Sequence, residues 1–182
     1  MSHFSEADIE DCIWHYQRSN VEKLKLGPVE AEWEELDEAE RDVAADSQAP
    51  GVTNEDLLAS NPDFADMAKL AEISPPAAVL MSFQKVELET RKALSKLDYS
   101  TEELRRMPPS KLFSAAVDSG LVSIAIGNAM QALRDLRNRV SHESDEEVTK
   151  GRAIQYALIA AEAAIALKRG GPANPMIGSD SP

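Results

Sequence analysis

Between Leu133 and Glu143 three side chains of complementary chemistry stand close together: Arg137, Asn138 and His142. In a helix each residue turns the chain by about 100°. Asn138 and His142, four apart, then lie nearly one above the other, with Arg137 flanking them by about a third of a turn. The set is a fixed cation, an amide and an imidazole, all able to face one cleft. A guanidinium presents a planar fork to two oxygens of a phosphate, and an imidazole exchanges its proton near neutral pH. At a helix C-terminus the carbonyl dipoles favour positive charge. That draws His142 toward the imidazolium, which suits it to neutralise a phosphate or protonate a leaving oxygen better than to act as a base. The same residues also fit a structural role, in which Arg137 and His142 bond the free carbonyls of the helix end.

The elements that must position this set are legible around it. Ile126, Ala129, Met130, Leu133, Leu136 and Val140 recur at intervals of three and four and predict a helix over 123–142. Val79, Phe83, Val86, Thr90, Ala93, Leu94 and Leu97 do the same over 74–97, and Ile154, Leu158, Ala161 and Ile165 more loosely over 145–168. Ser74 before Pro75 and Pro76 reads as a helix start, and Ser100 with Glu103 and Ser144 with Glu147 fit the capping box. With Ser144 opening a helix, His142 closes the preceding one. No alternating run bounded by turn residues suggests a strand. The expected fold is all-α, an antiparallel helical bundle.

Ahead of the bundle, residues 5–24 carry a thin apolar seam through Ile9, Ile13, Tyr16 and Val21, and a second thin-seamed helix over 28–46 opens with Pro28. Pro50 and Gly51 then form a turn, followed by a short helical turn capped by Thr53 or Asn54. The chain divides into an acidic helical extension and linker (1–61), a bundle (62–169) and a disordered tail (170–182) rich in Gly and Pro. A chain beginning near Pro62 is expected to keep its fold.

Charge follows the same division. Residues 1–73 hold 19 acidic and 5 basic residues, a net of −14, whereas 74–182 hold 13 and 14, a net of +1. An acidic surface opposes nucleic-acid binding, but the part bearing Arg137 and His142 is neutral, with Arg134, Arg139, Lys150 and Arg152 close in sequence. The acidic N-terminal helices are expected to bind a regulatory protein partner or to lie over a basic cleft. The single cysteine, Cys12, rules out an intramolecular disulfide and suits a reducing, cytoplasmic setting. No signal-peptide pattern opens the chain, and no apolar run reaches the roughly 18 residues of a membrane span.

The spacing of Arg137 and His142, preceded by Leu133, Arg134, Asp135 and Leu136 and set before a final amphipathic helix, resembles the arginine–histidine signature of the HEPN superfamily. Segment 74–97 is similar to the long first helix of HEPN-like domains and 145–168 to their last. The likeness covers about 100 residues and leaves the first 70 or so outside it. The resemblance implies a homodimeric, metal-independent endoribonuclease of a toxin–antitoxin or antiviral (phage-defence) kind. Attack by a ribose 2′ hydroxyl would leave a 2′,3′-cyclic phosphate and a 5′ hydroxyl. It implies catalytic roles for Arg137 as phosphate clamp, His142 as acid and Asn138 as the group orienting the 2′ hydroxyl or the imidazole. Glu87, or Glu89, would hold His142 or Arg137 from the first bundle helix. The helix 123–142 is expected near the two-fold axis.

No cofactor is implied. Cys12, His15 and His3 fall short of the usual four metal ligands, and neither GxxxxGK, GxGxxG nor HExxH occurs. Trp14, Tyr16 and Trp33 lie among acids that would repel a phosphate backbone, and read as seam or partner anchors. The alternative to an enzyme is a non-catalytic helical module that binds a nucleotide or a protein.

Overall fold

The computed structural model describes residues 28–46, 53–97, 99–142 and 148–170, with the side chains at 28–32, 46 and 142 outside that description. Among the described residues the protein is all-α, eight helices packed into one bundle: α1 (Pro28–Asp46), α2 (Asn54–Ala59), α3 (Pro62–Leu70), α4 (Pro75–Leu94), α5 (Thr101–Arg106), α6 (Pro109–Asp118), α7 (Ile124–His142) and α8 (Lys150–Arg169). The expected helix over 5–24, the Pro50–Gly51 turn, the Ser144–Glu147 cap, the cluster of His3, Cys12 and His15, and nearly all of the tail lie outside the described residues.

Local chemistry sets the helix boundaries. Thr53 and Asp56 form a reciprocal capping box at the start of α2. Ser100 accepts the Glu103 N–H at the start of α5, and four helices carry Pro at their first position, where no N–H is needed. The last helix begins later than the sequence suggests, at Lys150, where the Thr149 side chain accepts the Arg152 N–H. At the end of α6, Gly120 takes φ +67°. This lets Leu121 N–H reach Ala116 O and Gly120 N–H reach Val117 O, both at 2.9 Å, in the Schellman pattern that turns the chain into α7. In that helix Gly127 faces Val117, and a Cβ there would overlap it, so α6 and α7 approach closely.

Cross-helix bonds fix the directions. Lys168, near the end of α8, holds Asn61 before α3, while Lys150 at the start of α8 holds Glu72 after it, so α3 and α8 run antiparallel. Lys85 on α4 reaches Asp63 while Ser82 reaches Met67, so α3 and α4 are also antiparallel. The hydroxyl of Tyr156 on α8 donates to Leu133 O on α7, joining the two across their short connection.

Two helices are central. α8 buries Ala153, Tyr156, Ala157, Leu158, Ile159, Ala160, Ala161, Ala163, Ala164 and Leu167, which spread round its circumference. That is why its apolar period reads loosely. Its small side chains admit close packing against α4, its most extensive neighbour. α7 is packed by α1, α4, α6 and α8. Its exposed positions among the described side chains are Ile124, Asn128, Asn138 and Ser141.

The seam of α1 is buried in the same cluster as the bundle core: Trp33, Leu36, Ala39 and Val43 belong to one hydrophobic cluster with residues of the helices from α3 to α8, and α1 packs chiefly on α7. Polar contacts flank it. Arg152 pairs with Asp37 at 2.5 Å and lies over the Trp33 ring at 5.2 Å, and Gln155 donates to Asp37 at 2.7 Å and to Glu40 at 2.6 Å. Desolvation of Asp37 is outweighed by its bonds to Arg152 and Gln155 and by the charges of Arg152 and Arg41, so its pKa falls. Glu162 has no such compensation. Burial, then the charge of Glu40, raises its pKa above the ordinary 4.5. A raised folded-state pKa means the folded protein binds the proton more tightly than the unfolded chain, so this group costs stability as pH rises above about 4.5. Glu162→Gln should therefore raise the melting temperature at pH 7 more than at pH 4. An equal change at both pH values, measured by thermal melts, would contradict it.

Candidate functional site

The site residues of α7 occupy its last two turns. Leu133 and Leu136 anchor that end in the core, which leaves the side chains between them to point away from it. Arg134 turns to its neighbour Asp135, with Nη2 to Oδ1 at 2.6 Å. Arg137 is half-buried, and its described contacts are two. The guanidinium carbon lies 4.5 Å from the centroid of the Phe83 ring on α4, and Nη1 donates to Asn138 Oδ1 at 3.0 Å. Asn138 itself is exposed. Ser141 Oγ donates back to the Arg137 carbonyl, four residues earlier, at 2.9 Å. His142 is the last residue of α7, and its side chain lies outside the described residues.

Among the described residues Arg137 gives its guanidinium to no helix-end carbonyl, the structural role open to it from sequence. It stacks on the Phe83 ring. Among the described residues no carboxylate pairs with it. A guanidinium over a ring face gains about 0.5–2 kcal/mol, more as it loses water, and the ring leaves the charge uncancelled.

The structure brings Glu87 elsewhere. Its carboxylate binds Arg91 Nη1 at 2.6 Å, and Arg91 in turn donates through Nε to Leu104 O at 3.1 Å and through Nη2 to Met107 O at 3.3 Å. The pair closes the C-terminal end of α5, where carbonyls lack helical donors and the dipole favours a cation. Glu89 is nearly buried between Lys92 at 3.0 Å and Lys85 at 3.4 Å. Its burial would raise its pKa, but the two lysines outweigh this and lower it.

Two residues at the site are not among the candidates read from sequence. Phe83 is fully buried and takes the edge of Phe113 at 5.9 Å between ring centroids and 75° between planes. Tyr156, also fully buried, bonds Leu133 O at 2.7 Å. Burial pushes its phenol well above the usual 10, and the nearby Arg137 charge opposes that rise. Phe83 appears in the sequence only as a core position in an apolar stripe. Tyr156 falls inside the loosely periodic run of α8 with no motif around it.

No group of three or more His, Cys, Asp or Glu that would hold a metal ion occurs among the described residues, and no helix among them is long and apolar enough to cross a membrane. Comparison with protein-family models, with curated proteins and with solved structures yields no match.

Proposed function

We propose that the C-terminal end of α7 binds a phosphodiester and that the protein is a metal-independent endoribonuclease of a toxin or phage-defence kind, acting in the cytoplasm. The observation that carries this is Arg137, a half-buried guanidinium held on the Phe83 ring with no carboxylate partner among the described residues. A preoriented cation is what a phosphate needs. Asn138 stands bonded beside it, and His142 follows one helical turn later at the helix C-terminus. In the reaction, a ribose 2′ oxygen forms a bond to phosphorus and the bond from phosphorus to the 5′ oxygen breaks. His142 gives a proton to the departing 5′ oxygen, and solvent takes the 2′ hydroxyl proton. Arg137 balances charge on the non-bridging oxygens, and Asn138 orients the attacking group. Glu87 has no step in this scheme, because its carboxylate serves Arg91.

A second reading, a non-catalytic module binding a nucleotide or a protein, draws support from α1. That helix holds nine acidic residues and one basic one, and it lies against α7 and bonds Arg152 and Gln155 of α8, where it repels an RNA backbone and favours a basic protein surface. Incubating the protein with mixed single-stranded RNA in the presence of a chelator separates the two. The enzyme cleaves undiminished by chelation, and the module leaves the RNA intact.

A further inference from the structure

Arg137 is held from both sides by neighbours on other helices. Phe83, on α4, lies under its guanidinium at 4.5 Å and is itself fixed by the edge of Phe113 on α6. Tyr156, on α8, donates to Leu133 O, the carbonyl four residues before Arg137, to which the Arg137 N–H bonds in the regular helix. Phe83, Phe113 and Tyr156 are fully buried, so none of them reaches a ligand, and Phe83 cannot stack a base. Their effect is to fix where Arg137 begins and where its fork lies. Among the described residues Nη1 bonds Asn138 at 3.0 Å, and a guanidinium carries further N–H groups that suit an anion.

We infer that Phe83 and Tyr156 are positioning residues for Arg137, preorganising its guanidinium as a receptor for a phosphate oxygen without touching the phosphate. The inference rests on the phosphodiester reading of this site. It differs from a simple packing role in one respect: the ring face contributes negative quadrupole toward the guanidinium, which an aliphatic side chain of like volume does not. Preorganisation lowers the reorganisation needed in the transition state, so its loss falls on kcat more than on KM.

The test uses the full chain and reads the Arg137 Nε–H resonance by proton–nitrogen NMR, assigned with Arg137→Lys. In the unmodified protein the Hε signal should lie upfield of the other arginines, within the ring current of Phe83, and should move on titration with inorganic phosphate. Phe83→Leu should return the signal to the arginine envelope. If the wild-type signal already lies in that envelope, or ignores phosphate, the inference is overturned, and this arm needs no variant to fold. With RNA as substrate, Phe83→Leu and Tyr156→Phe should each lower kcat by about tenfold or more at nearly constant KM, whereas a loss confined to KM would contradict positioning. An upfield, phosphate-responsive signal in a protein that cleaves no RNA would retain the receptor and overturn the endoribonuclease reading instead.

Discussion

His142→Ala is expected to lower the rate of RNA cleavage by about 10²–10⁴-fold, the range over which a positioned acid acts, with little change in melting temperature. The residue ends α7. Arg137→Ala should cause a comparable loss by removing the charge that faces the non-bridging oxygens. It should also cost the fold about 0.5–2 kcal/mol through the lost contact with Phe83. Arg137→Lys is the informative companion. A lysine keeps the charge but presents neither the planar fork nor the stacking surface, so its activity should stay near that of the alanine variant. Substantial rescue by lysine would mean that charge alone suffices and that the geometry at Phe83 is incidental.

The second large effect concerns α1. A chain beginning at Pro62 loses Trp33, Leu36 and Val43 from the core, together with Ala39. Each large side chain contributes about 1.5–3 kcal/mol on full burial, so the three together contribute roughly 5–9 kcal/mol, an upper estimate. Whole domains are stable by only about 5–15 kcal/mol. The shortened chain should therefore melt at least about 15 °C lower, or lose its cooperative transition. Leu36→Asp in the full chain should act in the same direction, because it sets an unpaired carboxylate into a fully buried position. A melting temperature within about 5 °C of the full chain would show that α1 is dispensable and that the acidic helix serves only as an appendage.

The contrast with expectation is instructive. From sequence, the extension reads as separable because its acids outnumber its apolar residues and its seam is one residue wide. The seam is nevertheless sufficient: Trp33, Leu36, Ala39 and Val43, at intervals of three and four, are all buried. What the sequence does not reveal is that α7 and α8 leave a face for them, since that face is assembled from residues more than 100 positions away, as in the pairing of Asp37 with Arg152. Helices α1, α4 and α7 are legible because each has one apolar side. In α8 almost every side is buried, so periodicity blurs, and its start is marked by the hydroxyl of Thr149, which accepts the Arg152 N–H.

At the site, the order of Arg137, Asn138 and His142 along one helix end is plain from spacing alone. The partners are not. Glu87 looks like a candidate from across the bundle, but its carboxylate binds its i to i+4 neighbour Arg91, which is aimed at the carbonyls of α5. Phe83 carries no polar signal, and only the packing of α4 against α7 shows that its ring lies under a cation.

The most direct measurement is the chemistry of the ends left on a short RNA of defined sequence after incubation with the full protein in excess chelator. An endoribonuclease working through Arg137 and His142 yields a 2′,3′-cyclic phosphate and a 5′ hydroxyl. It fails on a substrate carrying a 2′-deoxy residue at the cleaved position, and it loses the product with His142→Ala. Intact RNA, or ends bearing a 3′ hydroxyl and a 5′ phosphate, would contradict the proposed chemistry.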